Sequence, residues 1–206
     1  MSSKVKVVGL DPSLSNFGIA FATLDLDTMK FTVDDLTVAQ TEPEKDKKVR
    51  KQVRKNSEDL ERARLLHRAA MEAVQGEGVL MAFVEVPVGS QSARAMASYG
   101  VCLGVLAAVA ETLPIIQVTP TEVKLAGCGI KTATKDEMIE AMVAKYPGAP
   151  WPMKTVKGVS TPISSKCEHL ADAVAAIEAG IASDEFRQTI AVFKSSPIFK
   201  RFAAAT

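Results

Sequence analysis

The sequence predicts an α/β fold in which a mixed five-stranded sheet is covered by helices on both faces. Three β-rich segments follow one another near the N-terminus with short turns between them, which is typical of an antiparallel meander. A strand, helix, strand pattern comes next, and crossovers of this kind place their strands in parallel. The fourth strand is apolar almost throughout, as expected of a strand that lies between two helical layers.

The first three strands are predicted from β-branched and alternating segments. Val5–Leu10 and Phe17–Thr23 are apolar runs, and Lys30–Val38 alternates between apolar and polar residues. The turn residues Asp11–Ser13 and Asp25–Thr28 separate them. Because the connections are short, the three strands are expected to pair in antiparallel order.

A polar, basic loop is predicted at Thr41–Asn56, after the meander. Ser57 is placed to cap a helix that runs to about Gln75, and Gly76 and Gly78 end it. Apolar residues recur along this segment at helical spacing, so one face of the helix is expected to pack on the sheet.

The crossover consists of a strand at Val79–Val86, a helix at Gln91–Thr112 and a strand at Pro114–Val118. The helix is rich in alanine and glycine. Burial of one face in the core explains this composition, and close packing against a second copy of the chain is the alternative.

Capping boxes predict the helices that follow. Thr119–Glu122 forms one, with proline at the first helical position, and its helix runs to about Ala126. Thr134–Glu137 repeats the box for a helix to Lys145. The segment Tyr146–Ser164 is rich in proline, glycine and lysine and is predicted to be a loop.

Ser165 and Glu168 are predicted to form a further capping box, which opens a last core helix ending near Ala182. Residues 1–182 are therefore predicted to form one domain, and Ser183–Thr206 a helical extension or tail. A chain of 206 residues, 47% hydrophobic and 24% charged, is long and apolar enough to bury one core of this kind.

The composition also predicts the cellular compartment. No charge-free apolar run reaches about eighteen residues, and Met1–Asp11 shows no signal-peptide core, so we expect a cytoplasmic protein. Cys102, Cys128 and Cys167 are odd in number and form no Cys-x-x-Cys pair. They predict free thiols and neither a disulfide framework nor a structural zinc site.

Basic residues are concentrated in Lys45–Lys55, where seven lysines and arginines face one acid, although the net charge of the chain is only +1. Such a block is typical of a solvated loop. The alternative is a contact with nucleic-acid phosphates, which lysine and arginine clusters neutralise without regard to sequence.

Two carboxylates stand at the ends of apolar strands. Asp11 follows the first strand and Glu85 the fourth, and burial of either charge is costly unless a partner compensates it. Each has a structural alternative, since Asp11 can cap the turn before Pro12 and Glu85 can be a satisfied strand-end acid. If the two strands are neighbours, however, the acids converge and repel unless a cation lies between them.

The last helix adds His169 and Asp172, which share a face because they are three residues apart. Oxygen ligands with at most one imidazole suit Mg²⁺, with Mn²⁺ as a substitute, better than zinc. Two such ions can stabilise both the attacking and the leaving oxygen in phosphodiester hydrolysis. Glu168 lies one turn before Asp172 and is the alternative to His169 as a ligand.

These residues lie in four segments that resemble, in order, the motifs of the RuvC-like Holliday junction resolvases, members of the ribonuclease H-like superfamily. The segments are GLDPSLSNFGIA, FVEVPVGSQSARAMASYGVCLGVLAAV, VTPTEVKLAGCGIKTATKDEMIEAM and EHLADAVAAIEAG. The similarity runs from about Val5 to Gly180 and implies a ribonuclease H-like fold.

The resemblance implies a role for each residue of the site. Asp11 is shared by two metal ions, Glu85 completes one site, and His169 and Asp172 complete the other. The third segment has two lysines that approach the scissile DNA, which correspond to Lys124 and Lys135. The implied enzyme is a homodimer in a bacterial or phage-infected cell that nicks a four-way DNA junction symmetrically and leaves 5′-phosphate and 3′-hydroxyl ends.

The sequence departs from the family after the second strand-end acid, where Val88 and Gly89 stand in place of an aromatic residue. The loop around Trp151 and the basic segment are candidates for replacement DNA contacts. The residues predicted to contact DNA are Lys47, Lys48, Arg50, Lys51, Arg54, Lys55, Arg94, Lys131, Lys154 and Lys157.

Three other functions fit parts of this pattern. A nuclease of the same fold with a broader range of branched or flap substrates is one. A nucleic-acid-binding module without activity is another, although Asp11, Glu85 and Asp172 are all present. An actin-like ATPase or sugar kinase also opens with an aspartate-bearing strand, but such enzymes have two related lobes and this chain has length for one.

Overall fold

A computed structural model describes residues 3–46, 48, 55–156 and 158–195. Its strands are β1 (Lys4–Asp11), β2 (Asn16–Asp25), β3 (Lys30–Gln40), β4 (Val79–Glu85), β5 (Ile115–Val118), β6 (Met153–Val156) and β7 (Val159–Pro162). Its helices are α1 (Lys55–Val74), α2 (Ala93–Ala110), α3 (Pro120–Cys128), α4 (Lys135–Lys145), α5 (Ser164–Ala182) and α6 (Asp184–Ser195).

The main sheet has five strands in the order β3-β2-β1-β4-β5. β1 pairs antiparallel with β2, and β2 with β3, because short turns join them. β4 lies parallel to β1 and β5 parallel to β4. The predicted fold class is therefore confirmed.

Alternating residues of the central strands enter two separate cores. In β1, Val5 and Val7 belong to the core beneath α5, whereas Val8 and Leu10 belong to the core beneath α1 and α2. Because side chains of a strand alternate between its two faces, one strand serves both cores. The helices thus cover both faces of the sheet, as the sequence predicts.

Two predicted helix starts are wrong. Helix α1 already includes Lys55, the first described residue of this segment, so Ser57 lies inside the helix and does not cap it. Helix α5 begins at Ser164 after Ile163, which offers no side-chain cap, and the predicted box at Ser165 and Glu168 does not form. By contrast, Thr119 with Glu122 and Thr134 with Glu137 form complete capping boxes.

The predicted loop at Tyr146–Ser164 contains the hairpin β6–β7. Each strand has only four residues, which is too short to produce a clear alternating pattern. Gly158 supports the turn because its φ of 81° is in the left-handed region that glycine adopts without strain.

The predicted C-terminal extension contributes α6 to the core beneath α5. Phe186 is fully buried, and its ring lies 5.4 Å from that of Phe83 on β4. Residues 196–206 of the predicted tail lie outside the described part of the chain. Cys102, Cys128 and Cys167 are free thiols, as predicted.

Candidate active site

Strand alternation explains why Asp11 and Glu85 face the same helix. Asp11 follows Val7 and Gly9 on the α5 side of β1, and Glu85 follows Phe83 on the α5 side of β4. The parallel register pairs Leu10 with Val84, so the next residues along the two strands, Asp11 and Glu85, are side by side where the strands end.

Helix α5 lies very close to β1 and β2 because two glycines face it. A Cβ atom on Gly18 would stand 2.1 Å from the carbonyl oxygen of His169, and one on Gly9 would stand 2.1 Å from that of Ala173. No other residue leaves room for the helix backbone at these positions. Since Gly18 pairs with Asp11 across β1 and β2, the same approach places His169 beside Asp11.

Asp11 and His169 are in direct contact. The Nδ1 atom of His169 lies 2.6 Å from the Oδ2 atom of Asp11, and Asp11 is 8% exposed. Burial lowers the pKa of His169, but the hydrogen bond to Asp11 and the charges of Asp11, Glu168 and Asp172 outweigh it and raise that pKa above its ordinary value. The imidazole is therefore easier to protonate than that of an ordinary histidine.

Glu85 and Asp172 form the rest of an acidic cluster. Burial raises the pKa of Glu85 to about 9, with further increases from the charges of Asp11 and Asp172. Burial likewise raises the pKa of Asp172 to about 7, and the charges of Asp11 and Glu168 add to the effect. Lys124 on α3 lowers both pKa values and is close to both acids. The cluster has more negative than positive groups, so it favours uptake of a cation or of protons.

Lys135 and Glu168 form an ion pair at the N-terminal ends of α4 and α5. The hydrogen bond to Glu168 raises the pKa of Lys135, and the charges of Asp172 and Asp11 contribute to the increase. Lys135 thus belongs to the electrostatic surroundings of the cluster. Glu168 interacts with this lysine, whereas His169 contacts Asp11.

The donor set suits an oxygen-preferring divalent cation, because it combines three buried or half-buried carboxylates with one imidazole. As the side chains are arranged, however, no three His, Cys, Asp or Glu side chains of the described residues are grouped closely enough to hold an ion. Asp11 is occupied by its hydrogen bond to His169. Binding of a cation would require these side chains to reorient.

A cleft of about 250 Å³ opens beside the cluster. It is lined by Asp11, Pro12, Ser13, Glu85, Pro87, Val88, Tyr99 and Pro120. Tyr99 is a candidate functional residue that the sequence reasoning missed, because a single aromatic in a helix of small residues is read as core. The sequence signal that could have identified it is that Tyr99 is the one aromatic residue of α2, among small and aliphatic residues.

The predicted DNA contacts differ in their surroundings. Arg94 forms an ion pair with Asp59, with 2.8 Å between Nη2 and Oδ1, so its charge is partly satisfied within the chain. Lys48, Lys131 and Lys154 are exposed. Lys55 lies in α1, and the predicted contacts that lie outside the described residues are Lys47, Arg50, Lys51, Arg54 and Lys157.

The sequence matches no protein-family model and no curated protein. The structure is similar to Thermus thermophilus RuvC in complex with a Holliday junction substrate, with a TM-score of 0.60 and 21% identity over 90% of this chain and 97% of that chain. A second structure of Thermus thermophilus RuvC has a TM-score of 0.57 and 21% identity, over 90% of this chain and 96% of that one. The predicted resemblance is confirmed in the fold, and this chain has the ribonuclease H-like α/β fold of RuvC.

Proposed function

We propose that this protein is a metal-dependent endonuclease that cleaves four-way DNA junctions by symmetric phosphodiester hydrolysis. The observation that carries the proposal is the acidic cluster of Asp11, Glu85 and Asp172, with His169, at the strand ends of a RuvC-like fold. Uncompensated carboxylates in a half-buried cleft are costly unless a cation or a reaction uses them.

Asp11, Glu85, His169 and Asp172 would hold Mg²⁺, or Mn²⁺ in its place, with two ions in each active site. When bound, such ions supply Lewis acidity at the scissile phosphate and lower the pKa of water. In the metal-free site His169 contacts Asp11 at 2.6 Å, and this contact would give way as the two side chains reorient towards the cation. The expected products carry 5′-phosphate and 3′-hydroxyl ends.

Lys124 and Lys135 would act on the DNA side of the site. Lys124 is half-buried and close to Glu85 and Asp172, where its charge offsets theirs and is available to a phosphate oxygen. Lys135 is exposed and paired with Glu168 on the same side of the cluster. Exchange of that ion pair for a phosphate contact would bring a positive charge to the DNA backbone.

We further propose that the protein is a homodimer that pairs through α2. Met96 and Leu103 on this helix are each 45% exposed, and a Cβ atom on Gly100 or Gly104 would meet open space. By length and composition alone α2 is apolar enough to cross a membrane, with 22% of it buried. A second copy would cover this surface, and two-fold symmetry would match paired nicks in a junction.

We also propose that the protein is located in the cytoplasm, because free thiols are typical of a reducing compartment.

Cleavage of defined synthetic DNAs tests the proposal. The protein with Mg²⁺ or Mn²⁺ is expected to nick a four-way junction at two symmetric positions and to leave ends that DNA ligase can reseal. A linear duplex of the same sequence is the control substrate. Equal cleavage of junction, flap and duplex would leave a nuclease of broader range, whereas junction binding without cleavage would indicate a non-catalytic module. ATP turnover without cleavage would contradict the proposal altogether.

A further inference from the structure

The β6–β7 hairpin projects from the chain immediately before the helix that carries His169 and Asp172. We propose that this hairpin is a DNA wedge, whose valine pair contacts unstacked bases at the branch point while Lys154 contacts an adjoining phosphate. The inference rests on the proposed function, because it names the part of a branched DNA that the hairpin would recognise.

The base of the hairpin is anchored by hydrogen bonds and by a buried tryptophan. Trp151 is 7% exposed, and its indole Nε1 donates a hydrogen bond of 2.9 Å to the carbonyl of Tyr146. The backbone N–H of Ile163 donates to the carbonyl of Pro152 at 2.8 Å, and the Cys167 thiol donates to the same carbonyl at 3.4 Å. The strands therefore leave a buried base and are held in place against α5.

The register of the hairpin puts a basic and an apolar pair on one face. Lys154 pairs with Thr161, and Val156 pairs with Val159. Because the two pairs are two residues apart along each strand, all four side chains share one face of the hairpin. Val156 is 45% and Val159 is 62% exposed, and they flank the turn at Gly158. Neither valine belongs to the two hydrophobic cores of the described residues, so this exposed pair is an apolar surface available to a ligand.

The charge of the segment favours DNA over protein as that ligand. Residues 146–167 contain three lysines, Lys154, Lys157 and Lys166, and no aspartate or glutamate. An apolar tip in a basic segment is complementary to DNA bases and their phosphates, and apolar wedges inserted at base steps are a known means of kinking DNA.

The hairpin is also near enough to act at the cleavage site. Ile163 alone separates β7 from the start of α5, and His169 lies five residues further along that helix, which is about 8 Å at 1.5 Å per residue. Strands of four residues extend roughly 13 Å from their base. The tip would therefore contact DNA within about one turn of the duplex from the scissile phosphate, where the strands of a junction exchange.

The test compares the full-length wild type with the double variant V156S/V159S on a four-way junction that carries 2-aminopurine at the branch point. Without divalent metal, the wild type is expected to raise the 2-aminopurine fluorescence severalfold on binding, because an unstacked base is less quenched. The double variant is expected to bind within about threefold of wild-type affinity and to lose most of this rise. With Mg²⁺, its junction cleavage is expected to fall about tenfold.

The control is V192S, which changes a valine that is 71% exposed on α6, away from the hairpin, and is expected to behave as the wild type. Equal unfolding temperatures will show that all three proteins are folded. The wedge proposal would be overturned if V156S/V159S showed wild-type fluorescence and cleavage. It would also be overturned if the variant changed only its oligomeric state and kept wild-type fluorescence and cleavage. If the wild type unstacks the base but cuts no DNA, the wedge is supported and the nuclease proposal fails.

Discussion

The Nδ1 atom of His169 lies 2.6 Å from the Oδ2 atom of Asp11, although the two residues are 158 positions apart in the chain. The contact joins the end of β1 to the first half of α5 and brings an imidazole with a raised pKa to a buried carboxylate. The burial of Asp11 is thereby compensated, and its second oxygen is left for another partner.

Asp11→Asn is expected to lower junction cleavage by roughly a hundredfold or more while junction binding persists. The amide keeps the size of the carboxylate but removes the charge that would hold a cation. Cleavage under single-turnover conditions and binding by gel shift measure the two effects. Asp184→Asn is the matched control, because that side chain is 86% exposed on α6. If Asp11→Asn lost junction binding as strongly as it lost cleavage, a specific role of Asp11 in catalysis would be contradicted.

Tyr99→Ala is expected to reduce junction cleavage about tenfold, because the ring lines the cleft beside Asp11 and Glu85, where it can stack on a nucleotide. Tyr99→Phe retains the ring and is expected to keep most of the activity. The comparison of kcat/KM for the two variants separates stacking from a hydroxyl effect. Should Phe be as defective as Ala, the hydroxyl rather than the ring would be the functional group.

Gly18→Ala is expected to destabilise the protein by about 1–3 kcal/mol and to lower cleavage, because the new Cβ atom displaces α5 and with it His169. The clash would be with backbone, 2.1 Å from the His169 carbonyl oxygen, and no side-chain movement relieves it. Urea denaturation measures the free energy of unfolding. Gly148→Ala, where nothing lies within 4 Å of the added atom, is expected to be neutral. An equally neutral Gly18→Ala would show that α5 approaches β2 less closely.

Arg62→Met is expected to lower the free energy of unfolding by about 3 kcal/mol. Arg62 is 6% exposed, and its guanidinium donates to Thr41, to Ser15 and to the carbonyl of Leu14. Loss of these bonds removes the guanidinium donor from the hydroxyl oxygens of Thr41 and Ser15, while the Leu14 carbonyl keeps only the bond from Thr41. The loop after Asp11 would loosen as a result.

The comparison for Arg62→Met is Arg64→Met, whose side chain is 62% exposed and paired with Glu61 on the same helix. Its effect on the free energy of unfolding is expected to be below about 0.5 kcal/mol. Similar losses in both variants would indicate a change in α1 itself rather than the loss of the buried bonds.

Without metal, the unfolding temperature is expected to fall as the pH rises from 4.5 towards 9. These limits are the ordinary pKa of Glu85 and its raised pKa of about 9 in the folded protein. Both acids of the cluster have folded pKa values above their ordinary values, so the native state binds more protons in this window and loses stability as they leave. The raised pKa of His169 acts in the same direction.

Added Mg²⁺ is expected to raise the unfolding temperature more at pH 8.5 than at pH 6, because the cation replaces protons on the carboxylates. Glu85→Gln is expected to flatten the metal-free pH profile. A profile that stays level in the wild type would show that these carboxylates are separated or solvated.

Much of the fold follows from local patterns in the sequence. The order of strands, the five-stranded mixed sheet and two of the capping boxes were predictable, because periodicity and turn residues act within a few positions of one another. Asp11 and Glu85 were identifiable for the same reason, since each ends an apolar strand.

Only the tertiary structure decided how these groups meet. Gly9 and Gly18 reveal no partner in the sequence, yet they let α5 reach the sheet and place His169 on Asp11. Tyr99 reaches the cleft, and Glu168 pairs with Lys135 instead of capping its helix, through contacts between elements far apart in the chain. Local sequence determines which elements form, whereas close packing between elements, with its steric and electrostatic consequences, determines which side chains form the site.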